Sequence, residues 1–218
     1  WRDLTGRAGL DETLANLSAL ADVMIDTALE WLYTQLCQTM GIPRDANGEA
    51  QRMIVLGMGK LGGEELNFSS DIDLIFAFPG PGFTDATTPK PNEQFFARLG
   101  RGLIAALDQQ TADGQCFRVD MRLRPYGESG PLAMSVPAME LYFLEQGREW
   151  ERYALIKARV VAGDQATGNA LLESLTPFIY RKYLDYGALE SLRDMKAMIA
   201  REVRRRRLAD NVKLVRWG

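Results

Sequence analysis

Histidine is absent from this chain of 218 residues, and cysteine occurs only at Cys37 and Cys116. The absence of histidine excludes a histidine general base, Ser-His-Asp and Cys-His nucleophile systems, and every zinc motif with histidine ligands. Two cysteines are too few for a disulfide framework or a thiolate zinc site, and they are consistent with a reducing compartment. Any chemistry must therefore use carboxylates, lysine, arginine or hydroxyl groups.

The sequence also lacks a long apolar run, an internal repeat and a strong excess of one charge. No apolar stretch approaches the roughly 18 residues that a membrane helix needs, and the first residues do not resemble a signal peptide. The net charge of −3 argues against a generally cationic nucleic-acid binder. We therefore expect a cytoplasmic protein that engages neither membrane nor nucleic acid. Because the chain begins without Met and stops at Gly218, we also expect a piece of a longer protein.

Hydrophobic spacing predicts a long helix followed by a small sheet. Apolar residues recur at intervals of three and four from residue 10 to about residue 40, which indicates an amphipathic helix. Apolar runs at 53–56 and 69–78 predict two strands. Residues 92–107 predict a helix packed on the sheet. Residues 115–124 alternate apolar with charged side chains, which is typical of a third strand.

After the glycine-rich loop at 125–131, the pattern is helical to the end of the chain. Breaks are expected near Gly147, at 163–168, and at Pro177 and Gly187. A small sheet with helices before and after it predicts an α+β or α/β architecture.

Two carboxylates begin the second predicted strand. Residues two apart on a strand share a face, so Asp71 and Asp73 lie side by side, and they repel each other unless a cation sits between them. Asp120, in the middle of the third predicted strand, is the candidate third acid. Hard divalent ions such as Mg²⁺ take carboxylate oxygens, so these acids predict a site for one or two metal ions.

Cations and glycines accompany the acids. Arg118, Arg122 and Arg124 alternate with Asp120 and are expected on the same charged face, where they would neutralise and orient a phosphoryl group. Backbone N–H groups of the upstream glycine loop could hold substrate phosphates. The candidate phosphate-binding residues in that loop are Gly59, Lys60, Gly62 and Gly63. A structural alternative remains for the acids: Asp-x-Asp can be a solvated turn, and Asp120 can be a partner of the arginines around it.

Two other phosphate motifs fit the glycine loop poorly. The glycines at 57, 59 and 62 match a dinucleotide fingerprint, but residues 61–68 are too few for the crossover helix that this fold needs. A Walker P-loop fails because Leu61 follows Lys60 where a Ser or Thr must bind Mg²⁺.

Four motifs occur in a fixed order along the chain. They are GMGKLGGEELNFSSDIDLIF from Gly57, RVDMRLRP from Arg118, GESGP from Gly127 and GREWERYALIKAR from Gly147. Together they resemble the family of bifunctional glutamine synthetase adenylyltransferase/adenylyl-removing enzymes over essentially the whole chain. The NFSSDID, GESGP and WERY variants resemble the N-terminal, adenylyl-removing half of that family.

The resemblance implies an α+β fold, with a nucleotidyltransferase-like small sheet, a long N-terminal helix and a C-terminal helical region. It implies an N-terminal helical segment at 1–50, a catalytic core at 51–135 and a helical region at 136–218 that completes the cleft. The implied reaction is phosphorolysis: inorganic phosphate attacks the AMP phosphorus on a modified tyrosine, releasing ADP and unmodified glutamine synthetase. Asp71, Asp73 and Asp120 would bind Mg²⁺, and Ser70 would help the glycine loop to hold the nucleotide phosphates.

The resemblance also implies regulation of nitrogen assimilation through the PII signalling protein and glutamine. An ATP-dependent adenylyltransferase on the same scaffold is the alternative function, and a nucleotide-sensing module without turnover is a third. The charged residues from Arg148 to Arg159 indicate a substrate surface or simply a solvated helix face. The basic run from Arg204 to Arg207 is typical of a solvated helix end, and the last residues depart from the family pattern.

Overall fold

The computed structural model describes residues 2–180 and 196–198, and a long helix opens this part of the chain. Helix α1 spans Leu10–Met40, as the hydrophobic spacing predicts. Its buried stripe follows the helical period through Ala21, Ile25 and Leu29. The helix ends at Gly41, whose φ of 80° is readily adopted only by glycine.

The remaining elements alternate between short strands and helices. The strands are β1 (Pro43–Arg44), β2 (Ile54–Met58), β3 (Ile72–Phe78), β4 (Phe83–Thr84), β5 (Val119–Asp120), β6 (Ala133–Ser135) and β7 (Arg159–Gly163). The later helices are α2 (Gly59–Gly62), α3 (Asn92–Asp108), α4 (Val136–Glu145), α5 (Glu149–Leu155), α6 (Gln165–Ser174) and α7 (Thr176–Ile179). This α+β arrangement confirms the predicted fold class, with a small mixed sheet between the long first helix and the later helices.

Five strands form the main sheet around the antiparallel pair β2 and β3. The order is β5-β3-β2-β7. Strand β6 pairs with the same edge of β3 as β5, but further along it: β5 pairs with the start of β3 and β6 with its end. Strands β5 and β6 run parallel to β3, whereas β7 runs antiparallel to β2. The short strands β1 and β4 pair with each other outside this sheet.

The two faces of the sheet pack against different helices. Ile72, Leu74 and Phe76 belong to a buried cluster with side chains of α1 and α3, and we call this side the α1/α3 face. Ile75 and Ala77 belong to a second buried cluster with side chains of α4 and α6, the α4/α6 face. Because strand side chains alternate, Asp73 lies on the α4/α6 face with the other odd-numbered positions of β3.

Side chains of α1 also hold the strand β7. Arg159 donates to Asp22 through both terminal nitrogens, at 2.7 Å and 3.2 Å. The N–H of Gly163 donates to the carboxylate of Asp26 at 3.1 Å. The first helix and the last strand of the sheet are therefore joined although 137 residues separate the bonded partners.

Two secondary-structure predictions are wrong. The third predicted strand, 115–124, is reduced to Val119–Asp120, because the Asp120 carboxylate accepts the N–H of Arg122 at 2.9 Å and turns the chain. The segment after residue 131 is not helical throughout, since β6 and β7 lie within it. In β7, Val160 packs in the cluster on the α4/α6 face and Val161 packs in the cluster on the α1/α3 face. Because both faces of the strand are buried, its sequence does not alternate between apolar and polar residues.

The helices of the described residues include none that is long and apolar enough to span a bilayer. The predicted break at Gly187, the basic run from Arg204 to Arg207 and the divergent last residues lie outside the described residues.

Candidate active site

The three candidate acids lie at one end of the main sheet, on β5, on β3 and just before β3. Asp71 immediately precedes β3, and Asp73 is its second residue. In the parallel ladder, Asp73 is directly opposite Asp120 while Ile72 is opposite Val119. Burial of this apolar pair fixes the register, and a one-residue slip would send the acids to the other face. The structure thus brings the backbones of all three predicted acids together.

Two of these acids, Asp71 and Asp120, form ion pairs with arginines that flank β5. The Arg118 guanidinium bonds to the Asp71 carboxylate and donates to the carbonyl of Ser69 at 2.8 Å. The Arg122 guanidinium forms a forked contact with Asp120, with Nε at 3.0 Å and 2.9 Å from the two carboxylate oxygens. The acids and arginines therefore form one mixed-charge patch rather than a purely acidic one.

The electrostatics of the Asp120–Arg122 pair follow from this fork. Hydrogen bonds from the Arg122 side chain and backbone lower the pKa of Asp120, against the opposing effect of burial. The hydrogen bond to Asp120 and its charge raise the pKa of Arg122, and the charges of Asp73 and Glu128 raise it further. Arg122 is thus in the field of three carboxylates, which keeps a positive charge at the centre of the patch.

Two carboxylates of the site, those of Asp71 and Asp120, are paired with arginines rather than grouped around a common point. Within the described residues, no group of three or more His, Cys, Asp or Glu side chains is arranged as a metal cluster. The oxygens of Asp71 and Asp120 are directed to the arginines instead. Asp73 and Asp120, whose backbones the strand register aligns, carry carboxylate oxygens, the donor type that Mg²⁺ takes.

The glycine loop packs directly against Asp73. Gly59, the first residue of α2, has a φ of +55°, and a Cβ there would lie 3.0 Å from an Asp73 carboxylate oxygen. At Gly62 a Cβ would lie 2.0 Å from the carbonyl oxygen of Lys157, so only glycine allows this close approach. Gly63 follows as the C-cap of the same short helix. The loop therefore lies between Asp73 on one side and the segment after α5, at Lys157, on the other.

The other predicted phosphate-binding side chains, those of Lys60, Ser70 and Arg124, lie on three different segments. Lys60 is half-buried within α2. The Ser70 hydroxyl donates to the side-chain oxygen of Asn67 at 2.7 Å, in the turn that leads to Asp71. Arg124 donates to the carbonyl of Met121 at 2.8 Å and to that of Glu128 at 3.0 Å.

The expectation that Arg122 and Arg124 continue the charged face of a strand is wrong. The strand ends at Asp120, so Arg122 reaches Asp120 from a turn. Arg124 is instead directed into the loop that follows it.

A cavity lined by the aromatic residues Tyr126, Tyr142 and Trp150 was not predicted from the sequence. The cavity, of about 320 Å³, lies between the loop of residues 126–129 and the start of α5. Glu151 is buried at its edge, where its carboxylate accepts the Tyr142 hydroxyl at 2.7 Å and the Arg148 N–H at 2.8 Å. Burial, together with this bond to Glu151, raises the pKa of Tyr142. The signal in the sequence was the pair of motifs GESGP and GREWERY, which carry most of the lining residues.

Comparison with known proteins gives a consistent result. A family model described as glutamate-ammonia ligase adenylyltransferase matches residues 1–174. The chain is 60% identical over its whole length to the bifunctional glutamine synthetase adenylyltransferase/adenylyl-removing enzyme of Thioalkalivibrio sulfidiphilus, of which it covers 22%. It is 59% and 55% identical to the proteins of the same name from Pseudomonas aeruginosa and Shewanella loihica, again over its whole length, and covers 22% and 23% of them. The chain thus spans about a fifth of the length of these curated relatives.

Proposed function

Because this chain belongs to the glutamate-ammonia ligase adenylyltransferase family, we propose that it removes AMP from an adenylylated tyrosine of glutamine synthetase by phosphorolysis. The relatives are named for adenylyl transfer and for adenylyl removal, both with glutamine synthetase. The motif variants NFSSDID, GESGP and WERY favour the removing activity, since they resemble the adenylyl-removing half of the family.

The observation that carries the proposal is the mixed patch of acids and arginines on one sheet face. Asp73 and Asp120 are aligned across two strands, and Arg122 lies in their combined field. A reaction between two phosphate groups requires like charges to approach each other, and guanidinium groups reduce that repulsion while orienting the oxygens. Acids alone would suit a metal ion, whereas the added arginines suit an anionic nucleophile.

The reaction balances without a histidine. Hydrogen phosphate supplies an oxygen that forms a new bond to the AMP phosphorus, and the bond from that phosphorus to the tyrosine oxygen breaks. The products are ADP and tyrosine, whose phenol oxygen takes the proton that hydrogen phosphate gives up. Because the nucleophile is already anionic near neutral pH, positioning and charge neutralisation can supply most of the catalysis.

Each part of the patch has a proposed task. Asp71, Asp73 and Asp120 would hold Mg²⁺, which when bound neutralises charge on the transferred group. Backbone N–H groups of the loop at Gly59, Gly62 and Gly63, with Lys60 and Ser70, would hold the nucleotide phosphates. Arg122 would orient the attacking phosphate, and Arg124 would support the loop through its bonds to Met121 and Glu128.

The test is ADP release by this chain from adenylylated glutamine synthetase in the presence of Mg²⁺ and inorganic phosphate. We expect ADP only when phosphate is added, and a loss of at least about a hundredfold in Asp71→Asn, which keeps the size of the side chain but removes its charge. Asp113→Asn, an exposed acid in a turn, serves as the matched control and should retain full activity. Thermal unfolding of each variant separates loss of activity from loss of fold.

Other outcomes would assign a different function. If the chain instead uses ATP to label unmodified glutamine synthetase, it is an adenylyltransferase. If it turns over neither substrate, yet binds nucleotide equally well with and without Asp71→Asn, it is a sensing module. Full phosphorolysis in a folded Asp71→Asn variant would refute the role of this acid. Addition of PII protein to the assay would show whether the predicted regulator acts on this part of the enzyme.

A further inference from the structure

The cavity beside the loop of residues 126–129 is suited to a ligand that the acid–arginine patch alone does not accommodate. Its walls include the rings of Tyr126, Tyr142 and Trp150, and its edge carries the Glu151 carboxylate. Tyr142 belongs to the same buried cluster as Ile75 and Ala77, so the cavity lies on the sheet side that also carries Asp73 and Asp120. The cavity and the patch are therefore two parts of one side of the molecule.

We propose that this cavity is the subsite for the adenine base of the adenylyl group, with the base against Tyr126 and Trp150 and its amino group towards Glu151. The inference rests on the proposed function, because an adenylyl group is the ligand that would bring a base to this face.

The chemistry of the lining selects the class of ligand. The lining carries one cation, Arg148, and one buried carboxylate, Glu151 at 3% exposure; next to that carboxylate a phosphate is disfavoured and a group that donates hydrogen bonds is favoured. Aromatic walls favour a flat ring, because every nucleobase can stack on such a surface. The ring of an adenylylated tyrosine has no N–H or O–H to donate, whereas adenine has an exocyclic amine. A volume of about 320 Å³ is at the small end of ligand sites, which suits a base rather than a whole dinucleotide.

The backbone of Tyr126 supports a role beyond packing. Its φ of 62° lies in the left-handed region, which is unfavourable for an aromatic residue, and Glu64 is the other non-glycine residue of the described ranges with positive φ. The Tyr126 ring contacts the ring of Tyr142, with 4.4 Å between the ring centroids. Even so, Tyr126 remains 47% exposed. The fold therefore places a strained aromatic residue where nearly half of its surface can receive a ligand.

One loop connects the cavity to the acid–arginine patch. The N–H of Gly127 donates to the carbonyl of Arg124 at 2.8 Å, and Arg124 in turn donates to the carbonyl of Glu128. The carbonyl oxygen of Arg122 lies 3.8 Å from where a Cβ of Gly127 would be. The segment that pairs with Asp120 thus continues directly into the cavity wall, so one nucleotide could place its base in the cavity and its phosphate at the patch.

Tryptophan fluorescence and calorimetry of this chain test the proposal with AMP as the probe. We expect AMP to quench the fluorescence of the unchanged chain and of Trp31→Phe, but not that of Trp150→Phe. Trp31 is the matched control because it is 63% exposed on α1, on the other side of the sheet. In Trp150→Leu the Kd for AMP should rise at least about tenfold, while the Kd for ribose 5-phosphate, which has no base, should not change.

Inosine monophosphate tests the role assigned to Glu151. A keto oxygen replaces the adenine amine in this nucleotide and would face the carboxylate, so we expect binding at least about tenfold weaker than that of AMP. The proposal is overturned if AMP binds Trp150→Leu as tightly as the unchanged chain, or if inosine monophosphate binds as tightly as AMP. AMP bound at Trp150 without phosphate-dependent ADP release would refute the proposed reaction while supporting the base subsite.

Discussion

Asp120 is mostly covered, since its side chain is 14% exposed, while the side chain of its partner Arg122 is 72% exposed. Arg122 lowers the pKa of Asp120 in the folded chain relative to the unfolded chain. A lowered carboxyl pKa stabilises the fold above the unfolded value of about 4, and this stabilisation is lost as the pH falls through the folded pKa. The pair therefore contributes to stability at neutral pH and not in strong acid.

We predict that Asp120→Asn lowers the free energy of unfolding by about 1 kcal/mol near pH 7, a modest figure because Arg122 is solvent-screened. The difference should shrink as the pH falls below about 4, because the carboxyl of the unfolded chain is then protonated, and it should vanish below the lowered pKa of the folded chain. Urea unfolding at several pH values measures it. The exposed acid variant Asp113→Asn should show a smaller difference at every pH, and a pH-independent loss in Asp120→Asn would contradict the electrostatic explanation.

At this scale, the sequence predicts some positions of the site and misses others for identifiable reasons. The alternation of strand side chains predicts that Asp73 shares a face with Ile75, and the strand register aligns Asp73 with Asp120; the shared face of Asp71 and Asp73 stays a prediction, because Asp71 precedes the strand. It is not enough for Arg124, because the turn after Asp120 depends on a side-chain hydrogen bond that periodicity does not record. Tyr126 was missed because hydrophobic periodicity records neither its left-handed backbone nor its contact with Tyr142, sixteen positions later.

Among the elements, β7 lies close to the neighbouring chain at a glycine, where any side chain would force the strand to move. Gly163 has a φ of +81°, and a Cβ there would lie 1.9 Å from the carbonyl oxygen of Met53. Gly48 has nearly the same φ, +85°, but nothing lies within 4 Å of its Cβ position. The two glycines share a left-handed backbone, which would strain any other residue, and they differ in how closely the neighbouring chain approaches.

We predict that Gly48→Ala costs about 1 kcal/mol, the price of placing alanine in the left-handed region. Gly163→Ala should cost at least about 2 kcal/mol more, because β7 must move away from the residue before β2. Chemical denaturation of both variants gives the comparison. Equal losses would mean that the strand shifts without penalty, and that the close contact to Met53 does not matter.

The prediction of elements succeeded where a pattern is long and failed where it is short. Helices α1 and α3 repeat their apolar spacing over several turns, and both were found with nearly correct bounds. Strand β7 has five residues and is buried on both faces, so its Val160 and Val161 carry no alternation that separates it from a buried helix. Its place beside β2 depends on contacts with α1, which only the tertiary structure supplies.

Across the whole molecule, the ion pair of Asp22 and Arg159 joins the first helix to the last strand of the sheet. Both side chains are less than a third exposed, and the contact uses both guanidinium terminal nitrogens. Another pair involving α1, Glu30 with Arg52, has both side chains more than half exposed. The two pairs differ mainly in burial and in the distance along the chain that they connect.

We predict a coupling energy of about 1.5 kcal/mol for Asp22 and Arg159 in a double-mutant cycle with Asp22→Asn and Arg159→Gln. The same cycle with Glu30→Gln and Arg52→Gln should give about 0.3 kcal/mol. Equilibrium unfolding of the four variants of each cycle measures the two couplings. Similar values would show that burial does not strengthen the contact between α1 and β7.

The bond from Gly163 to Asp26 has a consequence for the behaviour of this protein at high concentration. In the part of the chain that the structure describes, β7 pairs with β2 alone, so its other side presents backbone groups that could recruit a strand from another molecule. Asp26 accepts one of those N–H groups, and Asp22, one turn earlier on α1, pairs with the Arg159 side chain of the same strand. The first helix thus removes one backbone donor from the edge along which copies of the chain would otherwise join, which makes that edge a poorer template for self-association.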